Sequence, residues 1–236
     1  MTRARLRALA AGLVLIVAGA LAFAKLREPA VPQPSSRPTL LLLTSLPILF
    51  GEDFSVESTG SPILSALQSR YRVQSISVTD RAELAKGRLL LMAQPLAQPT
   101  EDLVDLDNWV RGGGHLLLLA DPSLEWPSKR PLGDRLRPPP MFMDTGLLAH
   151  WGLRLDAPDE RGPRSMRLGS YTVLAASPGR LFGGCRISAD RLVADCRLGR
   201  GRAVIVADAD LLNVEYHGPG ASHNVEALLA QLDAMD

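Results

Sequence analysis

A chain of 236 residues with 46% hydrophobic and 22% charged residues has the composition of a globular protein of one large or two small domains. Its formal net charge of +1 gives no electrostatic basis for nucleic-acid binding, and its many arginines are scattered rather than set in a stripe.

The first segment stands apart. Arg3, Arg5 and Arg7 precede an uncharged run, residues 8–24, and Lys25 and Arg27 follow it. As a helix the run would rise about 25 Å, near the lower limit for crossing a bilayer. The basic N-terminus favours a cytoplasmic start and an exported remainder. Two readings are open. Residues 1–27 are an uncleaved single-pass anchor, or a signal peptide cleaved after Ala22-Phe23-Ala24. The run exceeds a typical signal-peptide core, which favours the anchor. Residues 28–38, rich in proline, form a spacer. Residues 39–236 are then an extracytoplasmic domain, held at the cytoplasmic membrane and facing the periplasm or exterior.

Within that domain, "TLLLLTSLP" (39–47) predicts a fully buried strand. "SPILSALQSRY" (61–71) predicts a helix capped by Ser61, with Pro62 in its first position. "RVQSISV" (72–78) alternates like a strand, and "RAELAKG" (81–87) reads as a short helical turn. "RLLLMAQP" (88–95) and "HLLLLADP" (115–122) are further buried strands. Between them lies a helix, 100–114, with Thr100 as its cap, acidic residues in its first turn and Gly112–Gly114 as its stop. Strands apolar on both faces, alternating with helices, predict an α/β fold. The sheet is open and mostly parallel, with helices on both faces.

The pattern breaks at 122–198. Residues 122–142 are proline-rich and too long for an ordinary connector. A short helix then leads into a strand near "LRLD", and residues 164–198 read as antiparallel ribbon. "GRGRAVIVADADLLN" (199–213) returns to a buried strand. Its glycines precede the strand instead of following it, so they form a turn and not a phosphate loop. The last helix places Val225, Leu228, Leu229 and Leu232 on one face, with Ser222 as its cap.

Few residues carry chemistry. A two-residue turn at Asp190-Arg191 sets Ile187 against Ala194, Arg186 against Asp195, and Cys185 against Cys196. The two cysteines are a disulfide in an oxidising compartment, or two small buried thiols. Asp121 and Asp208 end buried strands, where open sheets place ligands, and Asp210 follows closely. They are ligand- or partner-binding candidates, although aspartate is also the ordinary residue for closing a strand. His115, His150, His217 and His223 lack metal-ligand spacing, no G-x-S-x-G occurs, and no cofactor motif is present. Leu124, Trp126 and Phe142, set among basic residues, read as exposed apolar positions. Trp126 is either an interface anchor or a lid packed on the sheet.

"LDNWVRGGGHLLLLADP", "GRGRAVIVADADLLN" and "SHNVEALLAQLD" together resemble segments of the GldG-type auxiliary subunits of uncharacterised ABC transporters. The resemblance covers roughly 39–121 and 199–236, and 122–198 departs from it. It implies a flavodoxin-like domain similar to class I glutamine amidotransferases, anchored in the membrane and facing away from the cytoplasm, with an ABC permease and ATPase as partners. Amidotransferases place a cysteine nucleophile after a central strand, where this chain has Ala120-Asp121-Pro122. The expectation is therefore a non-catalytic accessory domain of an ABC-type transport or export system. The alternative is a divergent hydrolase using Asp121, Asp208 and a histidine.

Overall fold

The computed structural model describes residues 37–50 and 61–236. The expected anchor at 8–24 and most of the spacer at 28–38 lie outside the described residues. No helix among the described residues is long and apolar enough to cross a membrane.

A seven-stranded sheet carries the fold. Its parallel part comprises β1 (Thr39–Thr44), β2 (Arg72–Ser75), β3 (Leu89–Ala93), β4 (His115–Leu119) and β11 (Gly201–Val206), in the order β2-β1-β3-β4-β11. β3 is buried at all five positions, and the central residues of β1 and β4 are buried on both faces. That explains why these strands read as unbroken leucine runs. The edge beyond β11 is antiparallel, formed by β10 (Val193–Leu198) and β9 (Arg186–Ile187).

Four helices connect or close the parallel strands. α1 (Pro62–Arg70) is capped as expected, with the Ser61 hydroxyl accepting from Leu64 N–H at 3.2 Å. Asp80 caps the single turn α2 (Arg81–Leu84), accepting from Glu83 N–H at 2.7 Å. α3 (Thr100–Arg111) ends at the glycines, but Thr100 is its first helical residue and Pro99 holds the cap position. Proline has no side-chain acceptor, so the orphan N–H groups rely on the acidic residues of the first turn. After the single turn α5 (Val214–His217), the closing helix, α6 (Asn224–Asp233), is likewise entered without a side-chain cap; Ser222 ends the 3-10 turn before it. Chain direction across the sheet reverses after β2, which puts α1 on the opposite face from α2 and α3 under the right-handed crossover rule. The packing agrees: α1 meets α6, and α2 meets α3.

Residues 163–198 form three separate pairings and not one ribbon. β6 (Pro163–Leu168) and β7 (Tyr171–Ala176) make a hairpin, and β7 packs on α6. β5 (Leu153–Asp156), which follows the turn of helix α4 (Leu147–His150), pairs with β8 (Arg180–Gly183). β9 and β10 extend the main sheet. Alternation along the sequence signals strands but not which neighbour each strand chooses, because pairing is decided by packing between distant segments.

The glycine turn before β11 is scaffold. Gly199 has φ +58°, and a Cβ on Gly201 would stand 2.0 Å from the Val110 carbonyl oxygen. Arg200 N–H donates to the Arg111 carbonyl at 3.0 Å, seating the turn on the last residues of α3. The helix end beside these glycines is a carbonyl end, so no helix N-terminus stands there for a glycine loop to cradle a nucleotide phosphate.

The hairpin register is as expected: Ile187 pairs with Ala194 and Arg186 with Asp195. Cys185 and Cys196 are bonded, with Cα atoms 4.9 Å apart. The bridge closes a loop of 11 residues, for which chain entropy gives about 2–3 kcal/mol. The double variant Cys185→Ala/Cys196→Ala should lose about that much stability. The loss should appear as a lower urea midpoint in detergent-solubilised protein, with unchanged far-UV circular dichroism.

Candidate functional site

In open parallel sheets ligands meet the C-terminal ends of the strands. Here β1, β3, β4 and β11 deliver Thr44-Ser45, Gln94, Asp121 and Asp208–Asp210 to that rim. The structure brings the three predicted aspartates together but turns their carboxylates inward. Asp121 is fully buried, and its oxygens accept from Ser123 N–H at 2.8 Å and from Ala209 N–H at 2.9 Å. Asp208 is also fully buried and accepts from Leu211 N–H at 2.7 Å and Ala176 N–H at 2.9 Å. Asp210 accepts from Glu125 N–H at 2.6 Å. Each carboxylate thus pins a rim loop to a strand end. No group of three or more His, Cys, Asp or Glu side chains among the described residues is arranged to hold a metal.

Burial sets the protonation of these acids. It raises Asp121 to about 6 against the backbone donors that favour its charged form. Burial, together with the charges of Asp121 and Glu125, raises Asp210 to about 7. Asp208 is raised well above the ordinary range, first by burial and then by the charges of Asp121 and Asp210. The Asp210 backbone carbonyl faces the His217 ring, whose Nε2 is buried without a partner, and burial lowers the pKa of that imidazole. Beside them Ser177, at φ +53°, donates its hydroxyl to Glu125.

Two carboxamides organise the rim. Gln94 ends β3 in a left-handed conformation, φ +44°, and is fully buried. Its Oε1 accepts from Asp121 N–H at 3.0 Å, and its Nε2 donates to the carbonyls of Asp121 and Pro139 at 3.2 and 3.1 Å. Asn224 does the same at the start of α6, accepting from Leu174 N–H and donating to the carbonyls of Leu174 and Leu211. Each offers one residue the donor and acceptor that a neighbouring strand would offer. Gln94 is not among the residues expected from the sequence, although a polar residue closing the run "LLLMA" is its signal.

The order of the parallel strands reverses between β1 and β3. A pocket of about 220 Å³ opens there, lined by Thr44, Ser45, Phe50, Leu96, Arg130 and Arg135 among others. It is smaller than ordinary small-molecule sites, which start near 300 Å³. The proline-rich loop overhangs it and is fastened at both ends: Leu124 N–H donates to the Pro140 carbonyl, and Phe142 N–H to the Asp121 carbonyl. Leu124, Trp126 and Phe142, expected to be exposed, are half-buried against the core. Trp126 also lines a neighbouring pocket of about 210 Å³ with Pro47, Ser61 and Leu212. The exposed apolar side chains are others: Leu132, Leu136, Met141 and Met143 on the loop, with Phe50 and Leu96 beside the pocket.

No protein-family model and no curated protein matches this chain by sequence. Its fold is similar to solved structures. One is an exo-β-1,4-mannosidase from Opitutaceae bacterium strain TAV5, with TM-score 0.52 and 12% identity over 84% of this chain. The chain spans only 36% of that enzyme's length. Another is the mmIFT52 N-terminal domain, with TM-score 0.51 and 12% identity, covering 84% of this chain and 98% of that one. A third is the cytoplasmic protein STM3548 from Salmonella typhimurium, with TM-score 0.51 and 8% identity, covering 83% and 98%. At these identities the likeness is one of fold. The mannosidase corrects one expectation. This fold occurs as part of that enzyme, so the sequence-based reading of this chain as not an enzyme does not stand. Its ground was the missing cysteine after a central strand, which speaks to a single chemistry.

Two measurements check the rim. A carboxyl group whose pKa is raised on folding stabilises the fold below its unfolded value, and that stability is lost as pH rises through the folded value. The domain should therefore melt at lower temperature at pH 8 than at pH 5. Asp210→Asn keeps a neutral acceptor for Glu125 N–H and should flatten that slope, being stabilising at pH 8 and near neutral at pH 5. Gln94→Ala strands the Asp121 N–H and should cost about 2–4 kcal/mol in chemical denaturation.

Proposed function

We propose that this chain is a membrane-tethered extracytoplasmic domain of the GldG type, an accessory component of an ABC-type transport or export system. Its C-terminal rim is the surface that meets a protein partner. The observation that carries the reading is the grouping of exposed apolar side chains with Arg130 and Arg135 around the pocket between β1 and β3. Apolar patches rimmed by polar groups mark protein contacts, and arginine is a favoured interface residue. The pocket's size suits a partner's side chain better than a nucleotide. The strand order β2-β1-β3-β4-β11 supports a flavodoxin-like assignment of the class I glutamine amidotransferase kind. The Cys185–Cys196 bridge supports an oxidising compartment, and the uncharged run at 8–24 supports a single-pass anchor in the cytoplasmic membrane.

A hydrolase remains the second reading, favoured by Ser177 bonded to Glu125, whose charge acts on His217, a ring with a buried and unbonded Nε2. It would not use Asp121 or Asp208, whose oxygens are occupied by backbone donors away from solvent.

A photo-crosslinking residue at Leu136, introduced into the full chain in its native membrane, should trap an ABC permease subunit, and one at Val104 on α3 should not. Equal yields at both positions would sink the rim assignment. Intact mass of the membrane-extracted chain should include residues 8–24. A mature chain beginning at Lys25 would remove the anchor.

A further inference from the structure

The N-terminal edge of the sheet, opposite the rim, is basic. α1, α3 and α6 run back against the strands, so their carbonyl ends gather there. Arginines meet them: Arg37 donates to the Gln68 carbonyl, Arg88 and Arg200 to those of Gly113 and Gly112, and Arg202 to that of Ala234. A guanidinium has five N–H donors, so these bonds leave donors over. Arg72, Arg88, Arg197 and Arg200 are exposed, and among the described residues none of them has a carboxylate within 4.0 Å. Of the nearby acids, Asp195 is held by Arg186 and Arg202 and Asp233 by Arg70, while Asp236, exposed after the last helix, stands near Tyr71 and offsets one of these arginines. A pocket of about 390 Å³ opens on this edge, lined by His115, Arg186, Asp195, Arg197, Arg200 and Arg202, and adjoins one of about 380 Å³ that runs along the sheet face from Arg202 toward Val193.

This face runs against the charge of the domain. Five of the chain's 26 basic residues and one of its 25 acidic residues precede Arg37, which leaves 21 against 24. The chain also enters the domain on this edge, where Arg72 N–H donates to the Pro38 carbonyl at 2.8 Å. Residues 28–38 reach at most about 40 Å when fully extended. A domain of this size, with a radius of gyration near 17 Å, is itself about 40 Å across. A tether no longer than the domain is wide favours contact through the edge it joins.

We propose that this basic edge rests on the anionic phosphate headgroups of the membrane that holds residues 8–24, a reading that depends on the anchor assigned above. Arg72, Arg88, Arg197 and Arg200 supply the attraction, and the pocket at Arg197 and Arg200 receives a headgroup phosphate. The opposite rim then points away from the bilayer.

The test uses the full chain in phosphatidylcholine vesicles, with or without phosphatidylglycerol and with a headgroup spin-labelled lipid as quencher. One fluorophore is placed through Ala85→Cys, beside this edge, or through Leu132→Cys on the rim loop; the native cysteines are bridged and do not label. Quenching at 85 should exceed quenching at 132 only when phosphatidylglycerol is present, and high salt should abolish the excess. Each arginine near an anionic surface adds about fivefold to the docked ratio, so Arg197→Glu should lower it further than Arg197→Gln. Equal quenching at the two positions, or quenching at 85 indifferent to lipid charge and salt, overturns the proposal. Flotation in high salt separates the two readings. A chain that floats in high salt but shows no excess quenching at 85 in low salt with phosphatidylglycerol refutes the edge alone, and a chain that leaves the vesicles in high salt refutes the anchor and the edge with it.

Discussion

A strand with leucine on both faces must be covered on both faces, and that requirement arranges most of this molecule. Parallel neighbours cannot be joined by a tight turn, so each connection has to travel back across the sheet. The returning helices all run one way, and their dipoles align with one another. Four parallel strands buried in this manner therefore polarise the domain before any charged side chain is placed. The charged residues complement that field. Arginines meet the carbonyl ends of α1, α3 and α6, while carboxylates collect where the strands end and backbone N–H groups need acceptors.

The strand ends show how irregular backbone can be buried at all. A loop that dips into a core carries donors and acceptors that must be matched. Here side chains do the matching: carboxylates take N–H groups, and Gln94 and Asn224 each take an N–H and return one to a carbonyl. The cost falls on the acids. Asp121, Asp208 and Asp210 crowd together out of water, and their protonation shifts upward until the cluster carries less charge than its formula suggests. The outermost ion pairs behave in the opposite way. Burial pushes Asp195 up, but its bonds to Arg202 and Arg186 hold it below the usual carboxylate range.

The parallel core was legible because its signals are local. Leucine runs, Ser61-Pro62 and the triple glycine after α3 each state their conformation within a few residues, and the cysteine register followed from one turn. Thr100 and Ser222 misled because a capping residue type says nothing of which residue first turns helical. The pairing of β5 with β8 was not legible, since 24 residues and the whole β6–β7 hairpin separate Asp156 from its partner Arg180. The site was half visible. The aspartates were found from their place after apolar strands, but the direction of their carboxylates depends on loops from four elements. Trp126 shows the same limit: its place in a proline-rich loop reads as exposed, and its neighbours in space are the core.

The disulfide lies at the point where the sheet stops. β9 has two residues, pairs its Arg186 with Asp195 of β10 and is stapled to that strand by the adjacent Cys185–Cys196 bridge. The other border, β2, has four residues and begins with Arg72. Open sheet borders invite a second chain to add a strand, and short, charged, covalently held borders refuse it. A sheet closed at both margins lets copies of this chain crowd together without templating fibres from their own backbone.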